Sequence, residues 1–82
     1  MDTVNICFHN LNNNFHQELE VPLGLTANEL IVSLNQAYHL GIDTEDIFEC
    51  YLVAENPIVF LKGNKTLEAF GIRNSTDIIF KR

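Results

Sequence analysis

The chain has 82 residues, 46% of them hydrophobic, and a formal net charge of −6 at pH 7. This length predicts one domain over residues 1–82, with a single small core and no room for separate substrate and cofactor domains. The acidic balance argues against a nucleic-acid partner, because affinity for phosphate comes mainly from Lys and Arg. No apolar run approaches the roughly 20 residues that span a bilayer, so no direct insertion into a membrane is expected.

Charge and cysteine usage favour a cytoplasmic protein. The opening Met1-Asp2-Thr3 lacks the basic and apolar regions of a secretory leader. The two cysteines, Cys7 and Cys50, are too few for a disulfide scaffold, and we expect them to be reduced and buried. Every Lys and Arg lies from Lys62 onward. Such an asymmetry either orients a bound partner or serves solubility alone, and solubility is the commoner reason.

Two alternating segments open the chain and predict a β-hairpin. TVNICFH and FHQELEV both alternate apolar with polar residues, and Pro22 ends the second. The asparagine-rich stretch 10–14 between them suits a loop, because Asn tolerates left-handed backbone and bonds its own main chain. The inward positions are expected to be Val4, Ile6, Phe8, Phe15, Leu19 and Val21.

A helix is predicted over residues 26–40. Thr26 and Glu29 fit a capping box, in which each side chain accepts a hydrogen bond from the backbone amide of the other residue. Gly41 stands where a left-handed C-terminal cap belongs. The apolar stripe that makes the helix amphipathic consists of Leu30, Leu34 and Ala37, flanked by Ile31 and Tyr38.

The third predicted strand is FECYLVA, after a polar connector. If Glu49 faces water, then Phe48, Cys50 and Leu52 point inward, while Tyr51 and Val53 point outward. A slip of one residue would invert this assignment.

The end of the sequence predicts three short elements. IVFL is a fourth strand, TLEAF is a single helical turn closed by Gly71, and TDIIFK is the last strand. Alternation in the last strand directs Ile78 and Phe80 inward, with Asp77, Ile79 and Lys81 outward.

The predicted order is two strands, a helix, two short strands, a helical turn and a strand. An antiparallel sheet that curls around one long helix buries every apolar face, which is an α+β architecture. The chain resembles ubiquitin-like β-grasp proteins over essentially its whole length, and this resemblance implies a mixed sheet of four to five strands curled around one helix. The resemblance is carried by Lys65-Thr66-Leu67, Phe70-Gly71-Ile72 and Ser75-Thr76 before Ile78, together with Thr26-Ala27-Asn28-Glu29-Leu30 and Gly41-Ile42.

Conjugated ubiquitin-like modifiers carry a C-terminal diglycine that an activating enzyme adenylates. This sequence has no glycine after Gly71, so a protein that is not conjugated is expected. The chain is similar to the YukD family (EsaB-type proteins) of bacterial, Gram-positive type VII secretion in its length, its acidity, the NNNF hairpin and GIRNSTDIIF. The resemblance implies an accessory or regulatory role beside membrane proteins and an ATPase, and it transfers no catalytic motif. The alternative is a small effector subunit of a multicomponent oxygenase, which can also be ubiquitin-like and tailless.

No catalytic, cofactor or metal site is predicted. His9 and His16 flank the hairpin loop and can face each other, but two imidazoles without a third ligand make a poor metal site. A nucleophile built on Cys7 would need an orienting group and a cleft, which nothing in the sequence predicts. The acidic residues of the connector lack the spacing of a calcium loop and are expected to be solvated. They are Asp43, Glu45, Asp46 and Glu49.

One surface remains as a predicted protein-binding site. Tyr51, Val53 and Ile79 project from the sheet face opposite the helix, and they are neighbours if the last strand lies between the first and the third. Contiguous exposed apolar side chains are typical of binding surfaces. A charged rim is expected from Lys62, Lys65, Lys81 and Arg82. The interpretation is a non-enzymatic protein-interaction module, a monomer or weak dimer that uses no cofactor.

Overall fold

The computed structural model describes residues 2–81, and the hairpin comes first, as its alternation predicts. Strand β1 (Thr3–Asn10) pairs antiparallel with β2 (Phe15–Pro22). Asparagine side chains hold the turn between them: Oδ1 of Asn10 accepts a hydrogen bond from the Asn12 amide at 3.0 Å, and Oδ1 of Asn13 accepts one from the Phe15 amide at 3.1 Å. All six predicted inward residues are buried or pack against the core.

Helix α1 (Ala27–Tyr38) begins with the predicted capping box. The Thr26 hydroxyl accepts from the Glu29 amide at 3.1 Å, and the Glu29 carboxylate accepts from the Thr26 amide at 3.0 Å. The predicted inward position of Ala37 is wrong, because this residue is exposed. The helix meets the sheet along the stripe formed by Ala27, Leu30, Ile31, Leu34 and Tyr38.

The helix also ends earlier than predicted. His39, with φ of 53°, is the left-handed cap, and its amide donates to the Asn35 carbonyl. Gly41 has a left-handed φ of 76°, but it lies in the following loop. The physical reason is a clamp made by the Asn35 side chain, which bonds both the amide and the carbonyl of Ile42 at 2.9 and 3.0 Å. The chain is thereby turned away from the helix axis before Gly41.

Three strands follow: β3 (Leu52–Glu55), β4 (Val59–Leu61) and β5 (Thr76–Phe80). The inward assignment of Cys50 and Leu52 is confirmed, but that of Phe48 is wrong: its side chain is 83% exposed and lies in a turn before β3. Between β4 and β5, one helical turn is held by the bond from the Phe70 amide to the Thr66 carbonyl at 3.1 Å. Gly71 closes it with φ of 81°.

The sheet order is β2-β1-β5-β3-β4. β5 runs parallel to β1 and antiparallel to β3, so the sheet is mixed and the last strand lies between the first and the third, as predicted. Phe8, Ile78 and Ala54 are register partners across the three central strands, and all three are fully buried beneath α1. No helix within residues 2–81 is long and apolar enough to cross a membrane.

Candidate functional site

The outer face of the sheet, opposite α1, carries one continuous row of side chains across all five strands. The register pairs each member with the next: His16 with His9, His9 with Ile79, Ile79 with Val53, and Val53 with Phe60. Paired residues in a sheet project from the same face. The row therefore runs from two imidazoles on β2 and β1 to apolar groups on β5, β3 and β4.

The apolar half of the row contains the predicted binding residues. Val53 and Ile79 are direct cross-strand neighbours and half-buried, as their parity predicts. The Tyr51 ring contacts the Phe60 ring edge-on, with centroids 6.1 Å apart. Phe60 is 64% exposed, and the sequence analysis missed it. The pairing of Leu61 with Leu52 inside the sheet leaves Phe60 no inward position.

The loop before β3 adds two large apolar side chains to this half. Ile47 is 77% exposed and Phe48 is 83% exposed. Asp46 builds the turn that presents them, since its carboxylate accepts from the Phe48 amide at 2.9 Å and its carbonyl accepts from the Cys50 amide at 2.9 Å. Cys50 is buried and its thiol donates to Oδ1 of Asn28 on α1 at 3.6 Å. Buried Cys50 therefore anchors the loop to α1, while the side chains of Ile47 and Phe48 remain exposed.

We call these exposed and half-exposed apolar residues the outer patch, and two open grooves lie in and beside it. The residues of the outer patch are Ile47, Phe48, Tyr51, Val53, Phe60 and Ile79. A groove of about 210 Å³ is lined by four of them together with Lys62. A second groove, of about 450 Å³, lies beside Asn28 and Gly63 and shares Ile47, Phe48 and Lys62. Clefts with apolar walls and one positioned charge are typical of ligand and peptide sites.

The predicted charged rim is only partly assembled. Lys62 lines both grooves. Lys65 is directed elsewhere: its Nζ lies 4.9 Å from the centre of the Phe70 ring, a cation–π contact. Lys81 is exposed, and Arg82 lies outside the described residues. Binding by any of these residues stays a prediction.

The polar half of the outer face brings together three groups with chemistry. Nε2 of His9 and Oδ1 of Asp77 are 2.9 Å apart, and Cys7 is the register partner of Asp77. One donor atom from each of the three side chains lies within 4.8 Å of the other two. Cys7 is half-buried and free, which corrects the expectation of a buried thiol.

The surroundings of Cys7 disfavour its thiolate form. Burial raises the pKa of the Cys7 thiol, and the carboxylates of Asp77 and Glu18 raise it further. A nucleophilic cysteine needs the opposite, a thiolate favoured by cationic neighbours. The surroundings of Cys7 therefore favour the thiol over the thiolate.

The connector acids form a second cluster, in which Asp43, Asp46 and Glu49 approach one another. Asp43 and Asp46 each accept a backbone hydrogen bond two residues ahead, from the amides of Glu45 and Phe48. Asp43 and Asp46 thus stabilise the turns of the connector, as Asp commonly does.

Comparisons with known proteins settle the fold. No protein-family model and no curated protein sequence matches the chain. Among solved structures, the ubiquitin-like domain of an Arabidopsis thaliana protein matches with a TM-score of 0.70 and 12% identity, over 96% of this chain and 76% of that one. A protein designed on the basis of ubiquitin matches with a TM-score of 0.66 and 18% identity, over 96% and 87%. The fold is the ubiquitin-like β-grasp.

The UBL domain of Plasmodium falciparum Dsk2 is also similar, with a TM-score of 0.62 and 16% identity, over 95% of this chain and 97% of that one. Identities this low establish the β-grasp and nothing about function. Function has to be argued from the outer face itself.

Proposed function

We propose that this β-grasp chain is a non-enzymatic protein-interaction module that binds a protein partner through the outer patch. We further propose that it is an accessory or regulatory component of a type VII secretion system, located in the cytoplasm. The observation that carries the first part is the exposure of Ile47, Phe48 and Phe60 around Lys62. Exposed apolar groups on this scale, rimmed by polar residues, are typical of protein-binding surfaces.

The partner surface is expected to combine apolar anchors with an acidic group. The two grooves offer apolar walls that accept side chains such as Leu, Met or Phe, and Lys62 offers a cation to both. Aromatic residues dominate the energetics of such interfaces, with alanine substitutions at hot spots costing about 2 kcal/mol or more. Phe48 and Phe60 are therefore the expected hot spots. Tyr51 lines the smaller groove with them, and Val53 and Ile79 continue the outer patch across the sheet.

The secretion role is supported by the resemblance of the NNNF hairpin and the GIRNSTDIIF segment to the YukD family. Under this proposal, the partners are the ATPase or the membrane proteins of the secretion machine. The chain binds neither nucleic acid nor a cofactor in this role, and it contributes surface and not chemistry.

The experiment is affinity capture from native cells with quantitative mass spectrometry. Wild type is compared with the double variant Phe48→Asp/Phe60→Asp, in which two exposed positions are charged without disturbing the core. The matched control is Leu11→Asp, at an apolar residue that is 47% exposed in the hairpin loop and does not belong to the outer patch. We expect components of the secretion ATPase complex to be enriched by wild type and by Leu11→Asp, and lost with the double variant.

Two results would contradict the proposal in different ways. Equal recovery with the double variant would remove the outer patch as the binding site. Specific recovery of a diiron hydroxylase, with no secretion component, would replace the secretion role with that of an oxygenase effector. Thermal unfolding of all three proteins checks that the substitutions leave the fold intact.

A further inference from the structure

The polar half of the outer face holds more ligand-type side chains than its two histidines. Cys7 and His9 project from β1, and Asp77 projects from β5 beside them. His9 and Asp77 are 68 residues apart in sequence, so no local spacing motif reveals the group. From the sequence, no metal site is predicted, because the two histidines lack a third ligand. The parallel pairing of β1 with β5 brings Asp77 beside Cys7 and His9 and so adds further ligands.

We propose that Cys7, His9 and Asp77 bind a zinc ion on the outer face of the sheet, with His16 as the fourth ligand. The proposal concerns a site separate from the outer patch and does not rest on the proposed function. Binding releases the thiol proton, and the ion is held by a thiolate, two imidazoles and a carboxylate.

The donor set selects the metal. Thiolate, imidazole and carboxylate together suit Zn²⁺, whereas Ca²⁺ and Mg²⁺ prefer oxygen ligands alone. Ligand atoms on a tetrahedral zinc ion are about 3.3–3.8 Å apart, given metal–ligand bonds of about 2.0–2.3 Å. The three donor atoms here all lie within 4.8 Å of one another. Nε2 of His9 and Oδ1 of Asp77 are now 2.9 Å apart, so the ion replaces this direct contact and the two atoms separate slightly to bind it. Ligands on paired strands are held more precisely than ligands on loops.

His16 completes the coordination sphere. It is the cross-strand partner of His9, and the two ring centres are 6.2 Å apart. Two imidazoles on one tetrahedral zinc ion have ring centres roughly 5 Å apart, given Zn–N bonds near 2 Å. His16 is exposed, so it can approach the ion without disturbing the core.

Charge around the group favours a cation. In the next row of the sheet Cys7 lies between Glu18 and Asp77, and Asp77 in turn pairs with Glu55. Two carboxylates thus lie beside the thiol, a third lies beside Asp77, and none of these four residues is basic. The site is also open to solvent, since the His9 and Asp77 side chains are 30% and 42% exposed.

The test uses the full chain without a histidine tag, under reducing conditions. Titration with Co²⁺ as a spectroscopic probe is expected to give a thiolate-to-cobalt charge-transfer band and the visible bands of a tetrahedral site, at one equivalent. Calorimetric titration with Zn²⁺ gives the affinity. Cys7→Ser is expected to abolish the charge-transfer band although Cys50 is still present, with Cys7→Ala as a second variant should the first fold poorly.

The remaining ligands are tested by affinity. His9→Gln, Asp77→Asn and His16→Gln are each expected to weaken zinc binding by about tenfold or more. His39→Asn is the matched control, since His39 is exposed at the end of α1 and Asn tolerates its left-handed backbone. This control and Phe48→Asp/Phe60→Asp are expected to bind zinc as wild type does.

Several outcomes would overturn the proposal. A charge-transfer band that persists in the Cys7 variants would assign the thiolate to Cys50. Equal affinities for His9→Gln and His39→Asn, or binding only at millimolar zinc, would show adventitious surface binding. An unchanged affinity for His16→Gln alone would overturn its assignment as the fourth ligand.

Discussion

Phe8 and Phe48 are both predicted to be buried, but the structure buries only Phe8. Phe8 is fully buried and stacks on Tyr38 with ring centroids 5.3 Å apart, whereas Phe48 is 83% exposed. Alternation places both in the core, Phe8 through TVNICFH and Phe48 through FECYLVA. Because only Phe8 is buried in the structure, Phe8→Ala is expected to lower the free energy of unfolding far more than Phe48→Ala.

The magnitudes follow from burial. Truncating a fully buried Phe costs about 3–5 kcal/mol, which is a large part of the roughly 4–12 kcal/mol available to a domain of this length. Less than a fifth of Phe48 is buried, or about 25–45 Å² of a Phe side chain. At about 25 cal/mol per Å², Phe48→Ala is expected to cost about 1 kcal/mol or less.

The assay is urea unfolding followed by far-ultraviolet circular dichroism. Phe8→Leu accompanies Phe8→Ala, because the alanine variant is expected to approach the limit of stability and the leucine variant keeps a measurable transition. A loss of about 3 kcal/mol or more for Phe48→Ala would place Phe48 in the core. That result would refute the turn built on Asp46 and would remove Phe48 from the outer patch.

Two further predictions concern the ends of α1. The Thr26 amide, with its hydroxyl as a second contributor, holds the pKa of Glu29 below its usual value of about 4.3. Since this lowered pKa belongs to the folded state, the carboxylate stabilises the fold above that usual value, and the effect is lost as pH falls through the folded pKa. At pH 7, Glu29→Gln is therefore expected to unfold at a lower urea concentration than wild type. In acid below the folded pKa of Glu29, the two proteins are expected to unfold at the same urea concentration. An equal difference between their urea midpoints at both pH values would contradict the assignment. His39 has a left-handed φ of 53°, which glycine adopts without strain. His39→Gly is therefore expected to raise the free energy of unfolding by about 0.5–1 kcal/mol. Gly41 has φ of 76°, so Gly41→Ala is expected to lower the free energy of unfolding. A destabilised His39→Gly would show that the cap lies elsewhere.

Elements defined by local signals could be predicted from the sequence. The hairpin, the capping box at Thr26 and the facing of the last strand all depend on residues within a few positions of one another. The strand order was implied by the resemblance to ubiquitin-like β-grasp proteins, in which the last strand lies between the first and the third. The Phe48 error has a local cause as well: Asp46 captures the amides of Phe48 and Cys50, and side chains of this type compete with strand pairing.

The candidate sites could be predicted only where the sheet order was already assumed. The Val53–Ile79 neighbourhood was found because the last strand was placed next to the third. Phe60 was missed because the facing of a three-residue strand is set by its pairing, here of Leu61 with Leu52, and not by its own alternation. Ile47 was missed because a turn has no periodic face to reveal it.

The outer face of the sheet divides into a polar half and an apolar half at β5. Within residues 2–81, β5 lies between the opening hairpin and the β3–β4 pair, so its outward residues contact the outer faces of both. Asp77 is the register partner of Cys7 and lies 2.9 Å from His9, so it completes the proposed group of zinc ligands. Ile79, two positions later, pairs with Val53 and continues the apolar row to Phe60. An exchange of these two residues, Asp77→Ile with Ile79→Asp, would keep the composition and the inner face. It is expected to abolish both zinc affinity and partner binding together, whereas each site's own variants abolish one and spare the other.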